Sequence, residues 1–234
     1  MKKLFTIILI VGLALPAMAQ ISPYLEKGKS GFGLNVGYEQ GHSFKGALAN
    51  LGYSYKGIID IEANFYSEGY DKAAEGLIRD DASSLGFMGC INWWMIRKQP
   101  GPMIEVLFGL TAGVEHFAYS KYSYLSSGYG IPTDYNGDFD GMLGFDSRVK
   151  FRLMDGWSMM PGFALVYDVG AEQLTDASGD YSENYDGFMS RIGVSLSKSL
   201  KNGSSVYMEA NNYINTYDAY SYFEVKVGFV LSQK

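Results

Sequence analysis

Cysteine and histidine are nearly missing from this chain. Cys90 is alone among 234 residues, which excludes a disulfide framework and every thiolate-rich zinc site. His42 and His116 are the only histidines, too few for a histidine metal cluster. Charge is sparse too. Asp, Glu, Lys and Arg make up 19% of the chain, and the net charge of −6 argues against nucleic acid as a partner. No apolar run approaches the roughly 18 residues that a spanning helix needs. If this chain sits in a membrane, it must do so as a closed barrel, which satisfies its own backbone hydrogen bonds in lipid.

Glycine and aromatics are abundant: 29 Gly, 19 Tyr and 14 Phe, in a chain that is 47% hydrophobic. That is too apolar for a disordered polymer. Residues 1–19 read as an export signal. Lys2 and Lys3 lead an apolar run over 4–15, and Ala17-Met18-Ala19 offers a small-residue cleavage site. Cleavage after Ala19 is expected. No cysteine follows the run, so no lipid anchor is expected. Residues 20–30 then read as a periplasmic lead-in, and 31–234 as a single all-β domain.

From residue 32 onward, apolar residues alternate with small or polar ones, the period of a strand. Ten such segments follow one another. In the first, Phe32, Leu34, Val36 and Tyr38 share one face, and Gly33, Asn35, Gly37 and Glu39 the other. In the sixth, Phe145, Val149, Phe151 and Leu153 oppose Asp146, Arg148, Lys150 and Arg152. Face parity places three-residue turns at Tyr55-Lys56-Gly57, Met154-Asp155-Gly156 and Lys201-Asn202-Gly203. Each ends in Gly, the residue that adopts a left-handed conformation most cheaply. Short turns alternate with longer connections near 67–83, 120–138 and 173–186, so the strands run up and down. Pro161 removes a ladder hydrogen bond where a closed barrel has no edge, and a bulge is expected there.

The face without large apolar groups is rich in Gly and carries few charges, of both signs. Gly weakens a water-facing strand but suits a crowded interior, so the apolar face is assigned to lipid. Aromatics gather at the strand ends: Tyr53, Trp93, Trp94 and Trp157 near the short turns, and Phe65, Tyr119, Tyr167 and Phe188 near the long connections. Two such girdles suit the two interfaces of a bilayer.

The pattern resembles the small monomeric outer-membrane β-barrels of Gram-negative bacteria, the porin-like family with eight to ten strands. The last segment, Phe223-x-Val225-x-Val227-x-Phe229, is similar to the C-terminal signal read by the barrel-assembly machinery. The resemblance implies a closed antiparallel transmembrane barrel of ten strands in the outer membrane. It implies a monomer with membrane lipid and that machinery as partners, and no cofactor.

The lumen-facing positions include Asp60, Glu62, Glu105, Asp146, Glu209 and Glu224. Arg148, Lys150, Arg152, Arg191 and Lys226 oppose them. Two readings stand. These charges form an ionic plug, or they line a narrow water path whose selectivity Arg148–Arg152 set. A pairing of Glu105 with Arg152 is expected, and Cys90 is expected to face the lumen as a small filler. Asp134, Asn136, Asp138 and Asp140 have oxygen ligands at alternate positions, as a calcium loop begins. Phe139 stands where such a loop needs Gly, and a solvated acidic loop is the plainer reading. His116 has Ser120 four residues on, the wrong offset for a strand-borne catalytic pair, and no enzyme is expected.

Overall fold

The computed structural model describes residues 21–71, 77–78, 81–125, 132–215 and 221–233. The signal-peptide reading falls outside them. Strand β1 is Gly31–Gln40, β2 Phe44–Tyr55, β3 Ile59–Tyr70, β4 Ser83–Gly101 and β5 Ile104–Ser120. After the short β6, Ser123–Leu125, come β7 Pro132–Arg152, β8 Trp157–Asp176, β9 Gly179–Ser199, β10 Ser205–Asn215 and β11 Ser221–Ser232. Each long strand pairs antiparallel with its neighbours in sequence, β5 with β7 and β11 with β1. The result is a closed ten-strand up-and-down barrel; β6 only adds to the end of β7.

The two faces sort as the alternation requires. Leu34, Ile61, Phe65, Leu143 and Ile192 are all more than half exposed on the outside. Asn50, Asp60, Asp146, Arg148, Arg191 and Glu209 are almost wholly buried inside. A soluble barrel would show the reverse. The outward apolar surface is what lipid requires.

Gly57, Gly156 and Gly203 all adopt positive φ, as their turns demand. The registers 152↔158 and 199↔205, extended by the backbone bonds from Leu153 to Trp157 and from Leu200 to Ser204, give the expected three-residue loops. The first turn also has three residues but is displaced by one, to 56–58, which moves the register by two. Tyr55 pairs with Ile59, and Lys56 and Gly57 are both left-handed. A shift of two keeps every side chain on its face, so parity cannot detect it. Gly203, at φ 84°, is expected to resist substitution. Gly203→Ala should cost roughly 1–2 kcal/mol, read as a lower urea midpoint in lipid vesicles, whereas Gly69→Ala should cost less.

Pro161 causes no bulge. The β7–β8 register is unchanged on either side of it, with 148↔162 and 151↔159. The strand loses a ladder bond without gaining a residue. Bulges lie elsewhere: in β4 between Trp93 and Ile96, and in β7 between Tyr135 and Gly137. The expected long loop near 173–186 is a continuation of β8 and β9, paired out to Asp176↔Gly179.

Candidate functional site

The lumen is where this chain concentrates its polar chemistry. Midway along it, two guanidiniums meet two carboxylates. Arg148 Nη2 lies 3.2 Å from Glu209 Oε1, and Arg148 Nε 3.3 Å from Asp146 Oδ1. Arg191 binds Asp146 and comes within 3.8 Å of Glu209. All four side chains are at most 3% exposed. Lys226 pairs with Glu224 at 2.8 Å, and Asn211 and Tyr213 donate to the same carboxylate. Alongside runs a ladder of amides across β1, β2 and β3, Asn35 to Asn50 to Asn64, with Asn35 also donating to Tyr207. Buried charge is costly unless paired and hydrogen-bonded; here each charged side chain has an ionic partner, while Arg191 Nε and Nη1 have no hydrogen-bond partner.

At the short-turn end, residues 21–25 fold back inside the barrel rather than leading in from outside it. Ser22–Tyr24 forms one 3-10 turn, and Ile21, Ser22, Tyr24 and Leu25 are at most 2% exposed. Its N–H end faces carboxylates. Ser22 N donates to Asp60 at 3.1 Å, its hydroxyl also binds Asp60, and Ile21 N donates to Glu62 at 3.2 Å. Its carbonyl end faces cations. Lys150 donates to the Pro23 carbonyl at 2.8 Å, and Arg97 to those of Ser22 and Leu25. A single turn leaves most of its backbone groups without internal partners, and the barrel wall supplies them with matching sign. Tyr24 stacks on Tyr207 with ring centroids 3.9 Å apart, and its hydroxyl donates to Glu209 at 2.7 Å. Ile21, Tyr24 and Leu25 complete an apolar cluster with Trp94, Leu107, Met160 and Val230.

Space for this segment is set by glycine. A Cβ at Gly33 would stand 2.7 Å from Ile21 Cγ1, and one at Gly52 2.6 Å from Ile21 Cδ1. Only glycine tolerates so close an approach without something moving.

Two residues of β4 face the lumen for different reasons, Trp94 by plain alternation with Cys90 and Asn92, and Arg97 through the bulge. Trp94 points inward, 2% exposed, and donates to Asp60 at 3.0 Å, so it does not belong to the outer girdle. Trp93 remains outside. The inserted residue leaves both Met95 and Ile96 outward and turns Arg97 in. Arg97 then takes Glu105 at 2.5 Å and the Gly57 carbonyl at 2.9 Å, besides the carbonyls of the N-terminal segment. Without the inserted residue, plain alternation would put Arg97 on the outer face. Arg152 does reach Glu105, at 2.9 Å, but Lys150 is the residue directly opposite, and Arg152 is 34% exposed. Cys90 is fully buried in the lumen wall near Glu62.

Above the network, the long-loop half of the lumen is open and acidic. A cavity of about 490 Å³ lies there. Asp138 and Asp140 line it, but Asp134 and Asn136 do not, because the bulge after Tyr135 puts the second pair outside. Asp134 is bound by Ser123, and Asn136 donates to Thr175. The four oxygen ligands stand in a strand and do not converge. At the β8–β9 tip, the amide and hydroxyl of Ser178 hold the Asp176 carboxyl below its usual range. His116 lies on the outer face beside the Asp138 carbonyl, and His42 sits at the cavity rim.

Comparison with solved structures agrees with this architecture. The translocator domain of the autotransporter NalP from Neisseria meningitidis superimposes with a TM-score of 0.52. The match covers 90% of this chain and 91% of that one at 12% identity. The β-domain of the Bordetella autotransporter BrkA gives 0.50, covering 88% and 100% at 9% identity. The fold is that of an outer-membrane β-barrel. At such identities only the fold is shared. No protein-family model matches the sequence, and no curated protein matches it. What the lumen of this barrel does rests on its own side chains.

Proposed function

We propose that this outer-membrane barrel is a non-conducting protein with an interaction role. Its lumen is closed in the periplasmic half by its own N-terminal segment together with the ionic network. Its long-loop half is left as a cup open to the outside. The observation that carries this reading is the burial of residues 21–25 within the barrel, matched end to end by Asp60, Lys150 and Arg97. Short turns on the periplasmic side and long connections outside are the arrangement the fold implies. A leader removed after Ala19 would leave only Gln20 ahead of the buried Ile21. The alternative, a narrow channel for small solutes, would need a water path past the Tyr24–Tyr207 stack. We assign no reaction: His116 lies on the opposite face of the sheet from Glu115 and Asp138.

Cys90 reports on the closure directly, since it is the chain's one thiol and faces the lumen. In vesicles, a small charged thiosulfonate is expected to label it far more slowly than in the urea-unfolded chain. Labelling at the unfolded rate would contradict a closed lumen.

A further inference from the structure

We propose that the cup binds a small organic cation of the alkylammonium or guanidinium class. The inference rests on the closed-lumen reading, which makes this half of the barrel a dead-ended pocket instead of a passage.

The wall chemistry is one-sided. Glu39, Glu68, Glu115, Asp138, Asp140 and Asp168 line the cavity, and no Lys or Arg stands among its described lining residues. The cations just below are engaged, Lys226 with Glu224 and Arg191 with Asp146. Carboxylates in a low-dielectric pocket repel one another, and a bound cation relieves that repulsion.

A separate observation points to a missing partner. Glu39 is 3% exposed and lines the cavity; its carboxyl shares a hydrogen bond with Glu68, but its Oε1 has no hydrogen-bond partner. Asp168 Oδ1 is buried in the same wall, also without one. Buried acceptors are rarely left so, and each such case needs an explanation. A ligand that donates N–H or presents positive charge supplies it.

Aromatic rings select the kind of cation. Tyr70, Tyr119, Tyr122 and Tyr135 form a cluster in which Tyr119 meets Tyr135 edge-on at 4.5 Å and Tyr122 at 5.3 Å. Tyr70 meets Tyr122 at 4.9 Å, also edge-on. All four rings line the cavity, and alkylammonium and guanidinium groups prefer tyrosine rings as neighbours. A metal ion fits less well. Among the described residues, no three His, Cys, Asp or Glu side chains converge as a metal needs. The carboxylates are instead spread around the wall, which suits a larger and more diffuse charge. The volume of about 490 Å³ is in the range of small-molecule sites.

The test is titration calorimetry on the full barrel refolded in a maltoside detergent, which carries no ammonium group of its own. The probes are choline, its neutral carbon isostere, agmatine and calcium chloride. Choline or agmatine is expected to bind saturably, and the isostere at least about tenfold more weakly. The pair Glu39→Gln with Glu115→Gln should weaken choline by at least about tenfold, while Lys201→Gln, on an exposed turn at the other end, should not. Heat-dependent gel mobility checks that each variant is folded. If the double variant does not fold, the choline-against-isostere comparison on the unaltered barrel decides. Equal binding of the isostere, displacement of choline by an equal concentration of calcium, or no binding of either cation to the folded barrel would each overturn the proposal. None of these outcomes reads conductance. A barrel that binds choline and yet conducts would overturn the closed lumen alone.

Discussion

Arg97→Ala is expected to destabilise the barrel by about 3–5 kcal/mol, the cost of stranding a buried ionic partner. The Arg97 guanidinium is 2% exposed and serves four acceptors at once: Glu105 and the carbonyls of Ser22, Leu25 and Gly57. Its loss leaves the Glu105 carboxylate, 4% exposed, to Arg152 alone. It also frees three carbonyls at the point where the N-terminal segment enters the lumen. Arg152→Ala removes the other partner of Glu105, but Arg152 is 34% exposed and Arg97 remains, so about 0–1 kcal/mol is expected. Urea unfolding in lipid vesicles, followed by tryptophan emission, separates the two. Equal losses would mean that burial does not govern this network.

Gly52→Val should evict the N-terminal segment. The new side chain would begin 2.6 Å from Ile21 Cδ1 and 2.7 Å from Glu62 Cγ. Overpacking a rigid wall costs roughly 1–3 kcal/mol. The wall is a closed hydrogen-bonded ladder that cannot yield locally, whereas the segment is a single turn outside that ladder. The segment is therefore the part that moves, and Cys90 should become labelled at a rate approaching that of the unfolded chain. Gly69→Val supplies the control, because a Cβ there meets nothing within 4 Å. A Gly52→Val barrel that is folded and still protects Cys90 would show that Ile21 is not seated where these contacts put it.

The barrel was legible in the sequence because a lipid-facing sheet must alternate, and alternation survives in any single strand. Turn glycines were legible because left-handed backbone has few occupants. Several features were not. Registers off by two residues, at Tyr55 and between Glu105 and Arg152, keep every face unchanged and so leave no trace in parity. The long connection near 173–186 read as a loop because a paired ladder beyond the membrane has water on both faces, and the alternation fades although the pairing continues. The inward turn of Arg97 depends on one inserted residue in β4, which the composition of that strand does not announce. The N-terminal segment was the largest omission. Its partners, from Ser54 to Glu209, are remote in sequence, and it carries no period of its own. The one available signal was Ile21, Tyr24 and Leu25 at the spacing of a single turn, three apolar residues in what otherwise reads as an exposed lead-in. Among the site residues, the lumen charges fell where alternation put them, while Asp134 and Asn136 were separated from Asp138 and Asp140 by the bulge after Tyr135.

The central claim is that residues 21–25 close the lumen, and single-channel recording in a planar bilayer tests it most directly. The full barrel, with insertion verified by heat-dependent gel mobility, should be silent. The same barrel lacking residues 21–25 should give discrete, reproducible current steps. Steps of equal size from both proteins would contradict the account, since the segment would then obstruct nothing.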